Sequence, residues 1–246
     1  MEWRDEGIIL GARKHGETSV VLETMTAAHG RHLGLVRGGR SRRMQPLLQA
    51  GNRVDLTWRA RLEEHLGTFQ VEPLELNAAR LLASALAVHG IQLLGAHLRL
   101  MPERDAHAGL YEALKVITAH LDEPDIAGPL MVRFELALLD ELGFGLDLTR
   151  CALTGSRDGL AYVSPKSGRA VTEDAGTPWR DKLLPLPSFL TGQVRTETSR
   201  AALDDAYRLT GFFFHRNVYE PRGMEEPAAR GGFLAALARS VERAVG

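Results

Sequence analysis

Short clusters of apolar residues, separated by glycine-containing turn signals, fill the first 76 residues of the chain. The clearest pattern runs from Arg53 to Arg59, where Val54, Leu56 and Trp58 alternate with polar residues. A period of two is typical of a half-buried strand. About five such strands in this length predict a small closed or nearly closed barrel. An OB-fold is the commonest barrel of this size, and an SH3-like barrel is the alternative.

From about residue 77 the apolar residues recur every three or four positions, which predicts amphipathic helices. Pro129 is expected to begin the third helix and Gly143 to end it. The three apolar stripes are Leu82, Leu86, Leu93 and Leu100; Leu110, Leu114, Ile117 and Leu121; and Leu130, Phe134, Leu138 and Leu142. These stripes predict a helical region whose apolar faces pack together.

Glycine, proline and serine become frequent again between residues 145 and 192. This composition, with short apolar pieces such as Leu160-Ala161-Tyr162-Val163, predicts an irregular insertion that contains one hairpin. Two final helices are expected, one with Leu203 and Phe214 and the other with Phe233 and Val241 on their apolar stripes. We expect both to return to the helical region.

These patterns together predict an α+β protein in four parts. The parts are a small β-barrel (residues 1–76), a helical domain (77–144), an irregular insertion (145–198) and C-terminal helices packed on the helical domain (199–246).

The composition is that of an ordinary globular protein, with 44% hydrophobic and 25% charged residues and a formal net charge of −1. The first six residues include acids and no apolar run, so they do not resemble a signal peptide. No segment reaches the roughly 18 uninterrupted apolar residues of a membrane helix. A single cysteine, Cys151, excludes an intramolecular disulfide. We therefore expect a cytoplasmic protein.

Positive charge is concentrated in the predicted β region. Between Arg31 and Arg61 there are eight arginines and one acid, Asp55, a net charge of eight minus one, or plus seven. The stretch from Asn77 to Arg150 has six basic residues and ten acids, a net charge of minus four. This distribution is typical of a β domain that binds a nucleic-acid backbone.

The densest basic segment is Arg37-Gly38-Gly39-Arg40-Ser41-Arg42-Arg43, called here the arginine loop. Its glycines permit tight backbone geometry, and its guanidinium groups suit phosphate oxygens. The loop is interpreted as a phosphate-binding arm, and a solvated surface loop is the alternative. Among the aromatic residues of the β region, Trp58 fits either the core or a platform on which bases stack.

Several segments, taken in order, resemble the RecO family of recombination mediators over essentially the whole chain. They are Gly16-Glu17-Thr18-Ser19 with Leu22, Met25 to Arg31, Val36 to Arg42, Phe134 to Phe144, Cys151 to Gly155, and Ser164 to Arg169. Each is weakly specific alone, and the order and spacing carry the resemblance.

The resemblance implies an N-terminal OB-fold and a helical domain, in a non-catalytic protein that binds single- and double-stranded DNA and anneals complementary strands. It implies partnership with RecR and with the acidic C-terminal tail of single-stranded DNA-binding protein (SSB), in order to load RecA. It also implies association with the nucleoid. The expected DNA-binding residues are Arg13, Lys14, Arg31, Arg37, Arg40, Arg42, Arg43, Arg53, Arg59 and Arg61.

One departure from the family concerns zinc. Many members hold zinc with four cysteines in the insertion, but here Cys151 matches only the first, and Thr154 stands at the second position. One thiolate does not complete a tetrahedral zinc site. We therefore predict no metal and no cofactor, and a zinc-ribbon-like insertion held by packing. The candidate packing residues are Tyr162, Trp179, Leu183, Leu184 and Leu186.

Two other classes of protein remain open. One is an RNA-binding adaptor built on the same barrel, which would prefer RNA through its 2′-hydroxyl groups. The other is an enzyme whose site assembles from dispersed residues such as His65, Asp105 and His107. The common phosphate-binding, serine-hydrolase and zinc-protease motifs are absent from the sequence.

Overall fold

The computed structural model describes residues 1–192 and 198–245, with side-chain burial as far as Ser240. The chain is mixed α+β and divides into two compact units. The first comprises Met1–Pro124 and Pro227–Gly246, and the second comprises Asp125–Glu226. The four-part division expected from the sequence stays a prediction.

A five-stranded sheet that closes on itself forms the N-terminal part of the first unit. Its strands are β1 (Glu2–His15), β2 (Ser19–Thr26), β3 (Gly30–Val36), β4 (Arg53–Arg59) and β5 (Thr68–Glu75). Their order is β1-β2-β3-β5-β4, and β4 closes the sheet by pairing antiparallel with β1. The pairing of β3 with β5 is parallel, at Leu35 and Thr68.

Large apolar side chains fill the interior of this sheet. Ile9, Leu22, Leu56 and Trp58 are each at most 1% exposed and pack with Phe69. Trp58 also donates a hydrogen bond from its indole nitrogen to the Leu66 carbonyl, at 3.0 Å. Trp58 therefore belongs to the core and is not an exposed stacking platform.

Helices complete the first unit. They are α1 (Ala78–Leu82), α2 (Ala85–Leu98), α3 (Ala108–Ala119) and α7 (Ala228–Val245). The chain breaks before α2 because Ser84 caps that helix by accepting a hydrogen bond from the Ala87 backbone. Leu82 lies before the break and is 64% exposed, so the expectation that it continues the apolar stripe of Leu86 and Leu93 was wrong.

The second unit contains α4 (Pro124–Glu141) and α6 (Arg200–Phe214), which are joined by hydrogen bonds. The Tyr207 hydroxyl donates to the Gly128 carbonyl at 2.8 Å, and the Thr210 hydroxyl donates to buried Glu135. The prediction that Pro129 begins this helix was wrong, because α4 starts at Pro124 and contains Pro129. Proline at the first helical position supplies the start signal.

The insertion forms a small sheet in the second unit. Its strands are β6 (Leu160–Val163), β7 (Ala170–Thr172) and β8 (Leu184–Pro185), with the short helix α5 (Glu173–Gly176) after β7. The antiparallel pairing of β6 with β7 confirms the predicted hairpin. Leu186 is buried, as expected of a packing residue, but Trp179 is 58% exposed and does not hold the insertion together.

In the portion of the chain that the structure describes, no helix combines the length and hydrophobicity needed to cross a membrane.

Candidate nucleic-acid interface

The arginine loop leaves the sheet at the end of β3 and is built around two glycines. Gly38 has a φ of +67°, a conformation that side chains disfavour. Gly39 is buried, and a Cβ atom there would lie 2.6 Å from the Val20 side chain and 3.1 Å from Leu48. The pair therefore turns the chain tightly and lets the loop pack against the sheet.

Hydrogen bonds fasten the middle of the arginine loop and the chain that follows it. The Arg40 backbone donates to Thr18 and its guanidinium to Gly16, each at 3.0 Å, which ties the loop to the β1–β2 turn. The buried Asn52 side chain donates to the carbonyls of Pro46 and Leu47 at 2.9 Å. Arg40 thus helps to position the loop as well as adding charge to it.

All four arginines of the loop are exposed; Arg40 is bound through its guanidinium to the β1–β2 turn, and the other three are Arg37, Arg42 and Arg43. Within residues 1–192 and 198–240 none of them has a carboxylate partner within 4.0 Å. Arg13 and Lys14 on β1, and Arg61 after β4, are also exposed and lack such a partner in the same ranges. These six cations keep their charge available to a polyanion.

Three other predicted residues are paired with carboxylates. Arg31 is only 11% exposed at its side chain and contacts Glu23 at 2.9 Å. Arg53 lies 3.8 Å from Glu75, and Arg59 lies 2.9 Å from Glu2. The hydrogen bond from Arg59 lowers the pKa of Glu2. In each pair the carboxylate compensates part of the positive charge.

A surface cleft of about 570 Å³ brings Arg37, Arg43 and Arg59 together. Its other walls are formed by Val36, Met44, Thr57, Thr68, Phe69, Gln70, Val71 and Glu72. Arg13 instead lines a different hollow, beside Glu23 and Arg99. Three of the predicted cations thus line one cleft, and the others lie outside it.

Sequence reasoning missed a cluster of ring side chains at one end of the closed sheet. The Trp3 and His29 rings are stacked, with centroids 4.0 Å apart and an 8° angle between planes. His32 meets Trp3 and Trp58 edge-on, at 5.1 Å in both cases. Trp3 lies in β1, and the pairing of β1 with β4 that places it beside Trp58 is not evident from the sequence.

The structure brings together two of the three residues named for a possible enzyme site, Asp105 and His107. His107 Nε2 lies 3.5 Å from an oxygen of Asp105, but the His65 side chain is exposed, and its backbone carbonyl accepts a hydrogen bond from Arg104. Among the described residues no three His, Cys, Asp or Glu side chains are placed to hold a metal ion.

Cys151, the one residue that matches the family's zinc ligands, is 1% exposed. Burial opposes its ionisation, but hydrogen bonds from the Thr154 hydroxyl and from the backbone of Thr172, Thr154 and Leu153 outweigh burial and lower the pKa of Cys151 to about 6. The Thr172 backbone nitrogen donates to Sγ at 3.4 Å. Protein hydrogen bonds therefore satisfy this sulfur.

Comparison with known proteins defines the class of protein. Residues 1–77 match the family described as recombination protein O N terminal, and residues 80–224 match recombination protein O C terminal. Together these segments define a two-part protein of DNA repair and recombination.

The chain belongs to the RecO family. It is 73% identical over 98% of its length to a DNA repair protein RecO of Chelativorans sp. (strain BNC1), covering 97% of that protein. It is 70% identical over 96% of its length to the RecO of Mesorhizobium japonicum, covering 94% of it. With the RecO of Brucella abortus (strain 2308) the identity is 59%, over 98% of both chains.

Proposed function

We propose that this RecO-family protein binds DNA strands on its closed sheet and anneals them, without catalysing a covalent reaction. It would act with RecR and SSB to load RecA at sites of recombinational repair, in association with the nucleoid. The four-part organisation given above is part of this proposal.

The strand order supports an OB-fold for residues 1–76. A five-stranded sheet with the order β1-β2-β3-β5-β4, closed by the pairing of β1 with β4, has the topology expected of that fold. OB-folds bind oligonucleotides through the face of strands 2 and 3 and through the β1–β2 and β4–β5 loops. The arginine loop is hydrogen-bonded to the first of these loops, and Arg61 lies in the second.

The observation that carries the proposal is the charge of Arg37, Arg42 and Arg43, which have no carboxylate partner within the described part of the chain. Three guanidinium groups on one short loop, fixed to the sheet at Arg40 and Gly39, are arranged to follow a phosphate backbone. Arg59 joins them because it is half-exposed and lines the same cleft. Arg13, Lys14 and Arg61 would extend the contact, whereas Arg31 and Arg53 serve mainly to hold strands together.

Strand annealing requires no bond chemistry. Two complementary strands repel each other through their phosphates, and a protein that neutralises some of those charges lowers the repulsion and releases counterions. Surface arginines are sufficient for this role. The partners RecR and SSB would add specificity by directing the protein to SSB-coated strands.

A salt titration of single-strand binding tests the proposal. We expect the triple variant Arg37→Ser, Arg42→Ser, Arg43→Ser to bind labelled 30-nucleotide strands more weakly than the unmodified protein does, whatever their sequence. Fluorescence anisotropy measures the binding. Each phosphate contact contributes about 0.7 to the slope of log K against log salt, so the slope should flatten by about 2.

The matched control removes three exposed arginines from the second unit, by Arg150→Ser, Arg180→Ser and Arg208→Ser. Its slope should equal that of the unmodified protein. Equal slopes for both triple variants would reject the arginine loop as a DNA contact.

An annealing assay with SSB-coated complementary strands tests the wider proposal. We expect salt-sensitive annealing without nucleotide, faster in the presence of SSB. A preference for RNA over DNA of the same sequence would instead favour the adaptor alternative.

A further inference from the structure

A small pocket opens at the end of the closed sheet where β1 and β3 begin and β4 ends. Its walls include Trp3, His29, His32, Trp58 and Arg104, all in the first unit, and its volume is about 200 Å³. The arginine-lined cleft lies elsewhere on the sheet, although Trp58 of the pocket adjoins Arg59 of the cleft.

Four of the eight residues that line the pocket carry rings, and the other four are Met1, Glu2, Glu63 and Arg104. Trp3 is stacked on His29 at 4.0 Å and lies nearly parallel to Trp58 at 5.7 Å. His32 presents its edge to both tryptophans. Flat apolar faces with a few polar groups suit a planar ring, since stacking on aromatic side chains tolerates any base.

Arg104 closes the pocket in a strained conformation. Its φ of +65° is the only positive φ of a non-glycine residue in the part of the chain that the structure describes. The strain persists because Arg104 donates from its backbone to the Arg31 carbonyl at 2.9 Å and from its guanidinium to the His65 carbonyl at 2.8 Å. These bonds hold the guanidinium 5.9 Å from the Trp58 ring. Backbone strain of this kind clusters at ligand-binding sites.

His32 supplies the observation that points to a ligand. It is 3% exposed, and neither ring nitrogen has a hydrogen-bond partner among the described residues. Buried polar atoms without partners are rare in folded proteins and call for an explanation. Burial, with a smaller effect of Arg104, lowers the pKa of His32 to about 4, so the neutral ring offers one donor and one acceptor.

The size of the pocket limits what it binds. A cavity of about 150 Å³ accommodates benzene, and drug-sized ligands need about 300 Å³ or more. A volume of about 200 Å³ therefore fits one small ring system. A hydrocarbon ring would leave the His32 nitrogens without partners, whereas a nucleobase has donors and acceptors on its edge.

We propose that this pocket takes up one unstacked nucleobase from a bound single strand, between the Trp3 and Arg104 sides of the pocket. The inference rests on the proposed function, because it takes single-stranded DNA as the ligand. It adds a base contact, independent of sequence, to the phosphate contacts of the arginine loop.

The test compares an ordinary single strand with an abasic strand of equal length, in a Trp179→Phe background. The remaining tryptophans, Trp3 and Trp58, both line the pocket, so their fluorescence reports on it. We expect the ordinary strand to quench this fluorescence and the abasic strand to leave it unchanged, although both bind through phosphates.

Two pocket variants, each in the full-length protein, measure the contribution to affinity. Trp3→Leu removes a stacking face, and Arg104→Gly removes the guanidinium while keeping the backbone conformation without strain. Each should weaken binding of the ordinary strand by about tenfold, within the range for one stacked base, and that of the abasic strand less than twofold. Trp179→Leu, at an exposed position in the second unit, is the control and should change neither.

The outcomes separate this inference from the proposed function. Failure of the unmodified protein to bind either strand at low salt would reject both. Equal, salt-sensitive binding of ordinary and abasic strands, with no effect of either pocket variant, would retain the proposed function and overturn the base pocket. Quenching by a phenylalanine-containing acidic peptide, but not by DNA, would also overturn it in favour of a peptide site. Thermal unfolding of both variants checks that a loss of binding is not a loss of fold.

Discussion

At the scale of single residues, the ten predicted DNA-binding residues show what charge counting achieves. The excess of arginine between residues 31 and 61 is evident from the sequence, and the arginines of the loop are exposed in the structure. The carboxylates that pair with two of these arginines are distant in the sequence, and the sequence gives no sign of the pairing. Glu2 reaches Arg59 and Glu75 reaches Arg53 only because the closed sheet brings β1, β4 and β5 together.

His32 shows a second limit of the sequence analysis, because the pattern of β3 does not predict that this residue is buried. The apolar residues of β3, Leu33 and Leu35, suggest the inward face, yet they are half-buried while His32 and Gly34 are buried. Gly34 is required there, because a Cβ atom would lie 2.4 Å from the Phe69 ring. A histidine between Arg31 and Leu33 gives no sequence signal for a core position.

The low pKa of His32 predicts a dependence of stability on pH. The unfolded histidine takes up a proton near pH 6.5, but the folded one resists to about pH 4 because of burial, Arg104 and His29. Stability from this group is therefore complete above pH 6.5 and is lost as the pH falls toward 4. Relative to His32→Gln, the unmodified protein should lose about 2 to 3 kcal/mol of unfolding free energy between pH 7 and pH 4.5. Parallel curves from urea titrations of the two proteins would contradict this assignment.

At the scale of elements, strands were predicted better than helix boundaries. Alternation and turn signals located the strand Arg53–Arg59 with the bounds observed. Two helix starts differ from the predicted ones. The structure uses Ser84 and Pro124 as start signals, whereas Leu82 and Pro129 fit the same apolar periodicity and were assigned to the wrong places. The Gly38-Gly39 pair was expected to allow tight geometry, and the structure adds the reason, which is close packing of Gly39 on Val20.

Substituting Gly39 tests whether the arginine loop must stay packed on the sheet. Gly39→Ala should lower the free energy of unfolding by about 1 to 3 kcal/mol, because the added methyl group overlaps Val20. It should also weaken single-strand binding, since the loop must move. Gly109→Ala, where a Cβ atom meets nothing within 4 Å, is the control and should be neutral or slightly stabilising. A Gly39→Ala protein as stable as the control would show that the loop adapts freely.

At the scale of the whole molecule, the compact units do not follow the order of the chain, because the first unit combines Met1–Pro124 with Pro227–Gly246. The sequence suggested that both final helices return to one helical region. Both do contact helices of that region, but in different units: α6 is hydrogen-bonded to α4 in the second unit, and α7 packs on α2 in the first unit. Periodicity identifies an apolar stripe but not the partner that covers it, because leucine and phenylalanine fit many faces equally well.

The packing of α7 on α2 predicts that stability of the first unit depends on α7. Phe233 is fully buried, and its ring lies 3.3 Å from the position a Cβ atom would occupy at Gly90 of α2. Phe233→Ala should therefore lower the free energy of unfolding by about 3 to 5 kcal/mol. In a Trp179→Phe background, Trp3 and Trp58 report unfolding of the first unit alone, by their fluorescence in urea. Val116→Ala, at a half-exposed position of α3, is the control and should cost well under 1 kcal/mol. A Phe233→Ala protein whose first unit unfolds at the control's urea concentration would show that the sheet and its neighbouring helices are stable without α7.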